Sequence, residues 1–286
     1  MLRVGPRVFG GDDCAVMAIV NRTPDSFYDG GANVELGAAL DAVARAVDEG
    51  ADIIDIGGVR AGYGPSVDAD EELARVLPVV AAVRERFPDM AISVDTWRAQ
   101  VAARVLAEGA DLINDTWAGI DPDLLAVAAE TDAALVCSHT GGLQPRTDAR
   151  RVHYDDVVAD VVAAVTGAAE RAVEAGVRSD GILIDPTHDF GKNTWHSLEL
   201  TRRLDELVAT GWPVLVALSR KDFVGETLDL PPAERLEGTL AATAIAAWHG
   251  ARVFRAHDVR ATRRVLDMVA SIRGTRAPAV ARRGLA

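Results

Sequence analysis

Residues 91–115 read AISVDTWRAQVAARVLAEGADLIND and contain one unit of the pattern that decides the fold. A short apolar run, AISV, ends on Asp95, and a second run, DLI, ends on Asn114. Between them, apolar residues recur at helical spacing up to Gly109, which is a predicted C-terminal helix cap. Continuous apolar runs are typical of parallel strands that helices cover on the outer face. The stretch therefore predicts two parallel strands joined by a helix.

The same unit recurs along the whole chain. The runs and the residues on which they end are CAVMAIV with Asn21, DIIDIG with Gly58, AISV with Asp95, DLI with Asn114, ALVCS with His139, ILI with Asp185, VLVAL with Ser219, and VFRA with His257. Eight strand–helix units of about 250 residues in total predict an α/β fold, the (β/α)8 or TIM barrel, whose active site lies at the C-terminal strand ends. The polar residues at those ends are therefore candidate site residues.

A single domain over residues 1–286 is expected, with a short N-terminal extension (1–13) and a basic, solvated tail (274–286). The length would suggest two domains at about 150 residues each, but single barrels are an exception, and no linker interrupts the chain. Three long connections follow strands, at Arg22–Asn33, Gly58–Asp68 and Thr140–Val152. Such loops at the C-terminal face of a barrel usually act as lids or ligand clamps.

The formal net charge of -13 argues against a nucleic-acid partner, because phosphate-backbone binding needs a basic surface. A small phosphorylated ligand remains compatible, since five cations lie at or just beyond strand ends: Arg22, Lys192, Arg220, Lys221 and Arg255. No signal peptide and no apolar run of membrane-spanning length is found, so a cytoplasmic protein without membrane contact is expected. Cys14 and Cys137 are best interpreted as buried thiols.

The segment that begins at Asn21 and continues as Thr23-Pro24-Asp25-Ser26-Phe27 to Gly30-Gly31 closely resembles the first-loop signature of dihydropteroate synthases. The resemblance covers roughly residues 15 to 270. Further matches to the family are Ser93-Val94-Asp95-Thr96 with Arg98, Ile113-Asn114-Asp115, Asp185-Pro186 through Phe190-Gly191-Lys192, Ser219-Arg220-Lys221, and Arg255 with His257. Each motif alone is weak, but together and in this order they point to the pterin-binding barrel family.

The resemblance implies a transferase that joins a dihydropterin pyrophosphate ester to 4-aminobenzoate and releases pyrophosphate. Asp95, Asn114 and Asp185 would then bind the guanidine-like edge of the pterin, and Lys221 the opposite ring edge. Arg255 and His257 would hold the pyrophosphate, and Asn21 would bind Mg²⁺ together with phosphate oxygens. The predicted catalytic residues are Lys221, Arg255 and His257. Homodimers are common in this family, so a homodimer is expected.

Two loops depart from the family pattern, namely loop two and loop six, where each loop is numbered by the predicted strand that it follows. After Asp55-Ile56-Gly57-Gly58 the family has Glu-Ser-Thr-Arg-Pro-Gly, whereas this chain has Val59-Arg60-Ala61-Gly62-Tyr63-Gly64-Pro65. The family's Gly-Ile-Gly after Asp-Pro is Thr187-His188-Asp189, which adds bulk and a charge unfavourable to pyrophosphate. Lesser changes are Arg22 in loop one and Ser138-His139-Thr140 in place of Met-His-Met.

The changes are selective, because residues expected to hold the pterin remain while those around the second substrate and the pyrophosphate are lost. The preferred hypothesis is therefore a divergent homologue with a retained pterin pocket and weak or absent dihydropteroate synthesis, that is, an inactive paralogue in folate biosynthesis. Three alternatives stay open: an active synthase in which Arg60 replaces the lost arginine, a non-catalytic scaffold, and a methyl-transferring pterin barrel.

Each candidate residue also has a purely structural interpretation. Asp95 and Asp185 could be buried structural carboxylates, Asn114 a helix cap, Lys221 a surface lysine, His257 a core histidine, and Asn21 a turn residue. The tryptophans are expected to pack in helices and core rather than to stack on a ligand: Trp97, Trp117, Trp195, Trp212 and Trp248.

Overall fold

All eight predicted strands are present and form a parallel barrel. The computed structural model describes residues 1–21, 32–60, 62, 66–147 and 152–284, with backbone only at 32–35. The barrel strands are β3 (Ala15–Asn21), β4 (Ile53–Gly57), β5 (Ala91–Asp95), β6 (Leu112–Asp115), β7 (Ala134–Ser138), β8 (Ile182–Asp185), β9 (Leu215–Val216) and β10 (Val253–Ala256). Their order around the sheet is β8-β7-β6-β5-β4-β3-β10-β9. A parallel bridge between Ile184 and Val214 joins the two ends and closes the barrel.

The helices follow the predicted alternation. They are α1 (Ala32–Asp48), α2 (Ala69–Arg86), α3 (Ala99–Ala107), α4 (Leu124–Glu130), α5 (Val157–Glu174), α6 (Thr194–Arg202), α7 (Leu204–Val208), α8 (Asp222–Leu228), α9 (Leu236–His249) and α10 (Val259–Arg273). After α3, Gly109 adopts a φ of 109°. The N–H of Ala110 then donates to the carbonyl oxygen of Val105 at 2.9 Å, as the predicted C-terminal cap requires.

Two details differ from the sequence prediction. The helix expected over 194–210 is divided at Arg203 into α6 and α7. The short helix α8 was not predicted at all. Its seven residues span only two turns, which is too short for apolar periodicity to be recognised. Its N-terminus is capped by a carboxylate from a different loop, so the local sequence contains no capping residue that would predict the helix.

The barrel interior is apolar at the N-terminal end of the strands. Side chains alternate along each strand, so every second residue points inward. The inward residues near the strand starts, such as Met17, Ile53 and Leu112, form one buried cluster. A hairpin of β1 (Leu2–Val4) and β2 (Arg7–Phe9) adds Leu2, Val4 and Phe9 to this cluster. The N-terminal extension therefore closes this end of the barrel.

Three further features concern the helices, the C-terminal tail and the cysteines. Within the described ranges, no helix has the length and apolar character needed to cross a membrane. The predicted tail is exposed over its described part, residues 274–284. Both cysteines are free; Cys137 is buried and Cys14 is half-buried.

Candidate functional site

Four polar side chains meet inside the C-terminal half of the barrel. Asp55 of β4 is fully buried, and its Oδ2 accepts a hydrogen bond from Nε of Arg255 on β10 at 2.6 Å. Nη2 of the same guanidinium donates to Oδ2 of Asp95 on β5 at 2.9 Å. Asn114 of β6 lies beside them, with Nδ2 at 3.4 Å from both carboxylate oxygens of Asp55. One arginine is therefore shared by two carboxylates.

The shared arginine leaves this cluster with one excess negative charge when both carboxylates are ionised. Burial raises the pKa of Asp95 to about 7, although Arg255 opposes the shift, and the charge of Asp55 adds to it. Burial would lower the pKa of Arg255, but the two carboxylates outweigh it and raise that pKa above its usual value. Asp95 is therefore the member of the cluster that takes up a proton near neutral pH.

Asp185 and Lys221 lie across the mouth of the barrel from this cluster, where the mouth is the opening at the C-terminal ends of the strands. Asp185 ends β8, is buried, and accepts a hydrogen bond from the backbone N–H of Thr187 at 2.7 Å. Burial raises its pKa to about 6. Nζ of Lys221 lies 4.3 Å from the ring centroid of Phe190 and donates to the carbonyl oxygen of His188 at 2.8 Å. Carboxylate, ammonium and aromatic face thus lie around one mouth, a donor and acceptor set suited to a flat polar ring.

Asn21 and His257 lie at the rim. Asn21 is the exposed last residue of β3, and its Oδ1 lies over Gly57, 3.2 Å from where a Cβ of that residue would be. His257 is exposed just after β10, which excludes its interpretation as a core histidine. In the described part of the chain, no group of three or more His, Cys, Asp or Glu side chains could hold a metal. A metal here would need oxygen ligands from a substrate.

Two of the five strand-end cations are held by contacts within the protein. Lys192 is buried, and its Nζ donates to the carbonyl oxygens of His139, Phe190 and Thr187 at 2.8, 2.9 and 3.2 Å. Burial lowers its pKa to about 7. Arg220 turns outward and forms a two-point ion pair with Asp258 at 2.9 and 3.0 Å. Arg22 lies outside the described residues.

Loop six, which follows the sixth barrel strand β8, keeps a glycine-like backbone although it has no glycine at 187–189. Thr187 has a φ of 54° and Asp189 a φ of 70°, both in the left-handed region. The Thr187 hydroxyl donates to the carbonyl oxygen of Asp185 at 3.0 Å and accepts from the N–H of His139 at 3.1 Å. His188 is buried against Phe223. The expected bulk therefore lies in the protein's own packing rather than in the mouth.

The expected repulsion from Asp189 is also reduced. Oδ1 of Asp189 accepts from the Ser197 hydroxyl at 3.0 Å, and Oδ2 accepts from the backbone N–H of Asp222 at 2.7 Å. The carboxylate thus faces a helix N-terminus, where a negative charge is favourable. The sequence prediction that Asp189 would oppose a pyrophosphate is corrected to this extent.

Loop two is only partly described. Gly58 is buried, and its carbonyl oxygen accepts from Nη1 of Arg75 at 2.8 Å. Arg60 is exposed, with Nε beside Gly62. The first-loop signature after Asn21, together with Ala61 and residues 63–65, lies outside the described residues. In loop five, the Ser138 hydroxyl donates to the carbonyl oxygen of Asp115 and so joins β7 to β6.

The other structural interpretations can now be judged. Asn114 points into the barrel and caps no helix, since α4 begins ten residues later. Lys221 is half-buried rather than a surface lysine. Trp117 is buried and packs edge-to-face on Phe190 with ring centroids 5.4 Å apart, as expected. For Trp195 and Trp248 the packing prediction was wrong, since they are 78% and 55% exposed.

The sequence analysis missed Asp55 as a site residue. It lies inside the apolar run DIIDIG, two residues before Gly57, and pairs in register with Ile19 and Ser93. The available signal was the alternation of side chains along a strand, because the next inward-facing position after Ile53 is position 55. A carboxylate there has no water to solvate it, so a buried cation had to be expected nearby.

Comparison with known proteins places this site in a family. The sequence profile described as "Pterin binding enzyme" matches residues 17–257. "Inactive dihydropteroate synthase 2" of Mycobacterium leprae (strain TN) is 61% identical over 284 residues, covering 98% of each chain. "Dihydropteroate synthase" of Escherichia coli (strain K12) is 41% identical over 258 residues, covering 89% of this chain and 90% of the relative.

A solved structure of similar shape is dihydropteroate synthase from Xanthomonas albilineans in complex with 7,8-dihydropteroate. It superposes with a TM-score of 0.83 at 36% identity and covers 94% of this chain and 97% of that one. Fold and sequence therefore agree. The protein is a TIM-barrel member of the pterin-binding enzyme family, and within it the chain is similar to the dihydropteroate synthases.

Proposed function

We propose that this protein binds a pterin at the barrel mouth and makes dihydropteroate weakly or not at all. The observation that carries this conclusion is the contrast between two parts of the site. Asp95, Asn114 and Asp185 lie at the C-terminal ends of β5, β6 and β8. Loop two has none of the Ser-Thr-Arg set that the family resemblance places around the second substrate.

The retained groups match the pterin edge in chemistry. The pterin's guanidine-like edge presents N–H donors side by side, and carboxylate oxygens accept such pairs with charge assistance. Asp95 and Asp185 would accept from that edge, and the Asn114 amide would add a donor or acceptor. Lys221 would donate to an acceptor at the opposite ring edge. A ring in this position would have the Phe190 face nearby.

Binding of the pyrophosphate group is less well supported by the site residues than binding of the pterin ring. Arg255 is already committed to Asp55 and Asp95, so only part of its charge is available to a phosphate. His257 is exposed at the rim, where it could donate to phosphate oxygens. Mg²⁺ commonly binds through one or two protein oxygens plus substrate phosphates, and Asn21 Oδ1 fits that role. Bound Mg²⁺ would neutralise charge on the leaving group.

The relatives support both halves of the proposal. The Mycobacterium leprae relative carries the name of an inactive synthase, and it is more similar to this chain than the Escherichia coli synthase. The Xanthomonas albilineans neighbour holds 7,8-dihydropteroate on the same fold. We therefore extend pterin binding, but not full turnover, to this chain.

The experiment is a turnover assay with dihydropterin pyrophosphate and Mg²⁺, with and without 4-aminobenzoate. Pyrophosphate and dihydropteroate are both measured, with the Escherichia coli synthase as the positive control. We expect amine-dependent product far below about 1 s⁻¹. Product at about 1 s⁻¹ or faster would overturn the proposal and favour the alternative in which loop two, with Arg60, still serves an active synthase.

We further propose that the protein forms a homodimer that joins through α8 and α9. Helix α9 is apolar on nearly every side, and Ile245 and Trp248 are about half exposed. An apolar groove of about 390 Å³ lies between α6, α8 and α9 and includes the half-exposed Leu228. A helix that is apolar all round is normally buried, and a second copy of this chain would bury it. Light scattering of the wild type and of Trp248→Glu tests this: we expect a dimer and a monomer, and a monomeric wild type would contradict it.

A further inference from the structure

The carboxylate of Asp189, in loop six, connects helices α6 and α8. One oxygen is bonded to the hydroxyl of Ser197 in α6, and the other accepts from the first two backbone N–H groups of α8, those of Asp222 at 2.7 Å and Phe223 at 3.3 Å. These N–H groups have no partner within the helix. Loop six therefore supplies the N-terminal cap that α8 lacks, since Lys221, at the cap position, makes no side-chain cap bond.

The capped residue pair follows Lys221 directly. Lys221 has an extended backbone, with φ of -61° and ψ of 157°, and its Nζ reaches back to the carbonyl oxygen of His188, the residue before Asp189. Loop six thus holds Lys221 twice, through the backbone that follows it and through its ammonium. The left-handed conformation of Asp189, which costs about 1 kcal/mol outside glycine, is maintained by these contacts.

We propose that Asp189 is a positioning residue that fixes Lys221 at the pterin ring edge. This proposal rests on the proposed function for its ligand, but the position and charge of Lys221 can also be measured without any ligand.

The charge balance around Lys221 supports this role. Burial lowers the pKa of Lys221, and among the neighbouring charges Asp189 opposes that shift most strongly, ahead of Asp185 and Asp222. Arg255 acts in the same direction as burial, and Lys192 is a second nearby cation. Removing the Asp189 carboxylate therefore favours the neutral amine, which donates more weakly to a ring acceptor.

The test compares three variants with the wild type. Asp189→Gly removes the carboxylate and relieves the positive φ, so the loop retains its backbone path. Asp189→Asn keeps an oxygen acceptor for the α8 N–H groups but removes the charge. Asp229→Gly is the matched control, because Asp229 lies at the opposite end of the same helix, is exposed, and also has a positive φ of 55°.

Two measurements use the ligand-free protein. Amide hydrogen exchange at Asp222 should be faster by about tenfold in Asp189→Gly and unchanged in Asp189→Asn and Asp229→Gly. The pKa of Lys221, followed by NMR of its 13Cε, should fall by about one unit in both Asp189 variants and stay constant in Asp229→Gly. Equal exchange and an equal pKa in Asp189→Gly and wild type would overturn the proposal.

The third measurement is the affinity for a hydroxymethyl dihydropterin at pH 6 and pH 8. We expect Asp189→Gly to raise the Kd by about tenfold at pH 8, and Asp189→Asn to restore most of the affinity at pH 6. The same loss in Asp229→Gly would point to general loosening of α8 and contradict the proposal. A wild type that binds no pterin would defeat the proposed function, while the exchange and NMR results would still decide the role of Asp189.

Discussion

The two ends of the barrel interior are built from the same strands, but one end buries apolar side chains and the other buries charged ones. At the N-terminal end, inward residues such as Met17, Ile53 and Leu112 form one buried apolar cluster with the β1–β2 hairpin. Further along β4, the next inward position after Ile53 is the buried Asp55, and the one after that is Gly57. The first end gains stability from burying apolar surface. The second end has a desolvation cost, which the ion pairs with Arg255 and the hydrogen bond from the Ser93 hydroxyl to Asp55 offset.

The difference shows how one strand pattern can serve packing and ligand binding at once. Alternation decides which residues face inward, and position along the strand decides whether an inward residue meets the hairpin or the mouth. The polar end is therefore where a single substitution can be costly for stability and for binding together. The apolar end should affect stability alone.

The largest effect on stability is expected from Arg255→Met, which leaves the buried Asp55 and the half-buried Asp95 without their shared cation. Removing one partner of a buried pair costs about 3–5 kcal/mol. The free energy of unfolding from urea titration measures it. Arg220→Met is the control, since its pair with Asp258 lies outside the barrel, and a loss of about 1 kcal/mol is expected there. Equal losses in the two variants would contradict the account.

A similar but separable loss is expected at the apolar end from Val4→Asp. Val4 is fully buried under the barrel, and an unpaired carboxylate there should cost about 3 kcal/mol, limited by detachment of the hairpin. Val8→Asp in the partner strand is the control, because Val8 is 56% exposed. Pterin affinity of the folded Val4→Asp protein should stay within about twofold of the wild type. A large loss of affinity would mean that the two ends are coupled.

The sequence predicted the strands of both ends well. Each barrel strand overlaps one of the eight apolar runs, because a parallel strand covered on its outer face is apolar over most of its length. The hairpin was anticipated only as an extension, since three-residue strands such as Leu2–Val4 are too short to show a pattern. The candidate residues Asp95, Asn114, Asp185 and Lys221 all face one mouth, because the barrel brings every strand end to one face.

What could not be predicted depends on contacts between distant loops. The cap of α8 comes from Asp189, more than thirty residues earlier, and the pairing of Asp55 with Arg255 spans 200 residues. No local pattern encodes such pairs. The outward turn of Arg220 and the burial of Lys192 in a ring of carbonyl oxygens have the same origin.

A smaller effect is expected from pH. Because burial and Asp55 raise the pKa of Asp95 to about 7 from an ordinary value near 4, the folded state binds the proton more tightly than the unfolded chain. This contribution to stability is complete below about pH 4 and is lost as the pH rises through about 7. Urea titrations from pH 4 to 8 should show the wild type losing stability relative to Asp95→Asn over this window. A constant difference between the two proteins would contradict the shift.

The smallest effect is expected in loop six, from Thr187→Gly. Glycine relieves the φ of 54° but removes the hydroxyl bonds to Asp185 and His139, and each of these contributions is about 1 kcal/mol. The free energy of unfolding should therefore fall by about 1 kcal/mol, because one gain is set against two losses. A loss of about 3 kcal/mol or more would show that loop six, like the polar end, depends on one side chain.

The retained pterin pocket is the central claim, and calorimetric titration with a hydroxymethyl dihydropterin tests it most directly. The account predicts saturable binding with one site per chain in the wild type. Asp185→Asn should weaken it by about tenfold or more, since a charge-assisted hydrogen bond contributes about 1.5–3 kcal/mol. The absence of saturable heat up to about 1 mM ligand, or equal affinity in Asp185→Asn, would contradict the claim.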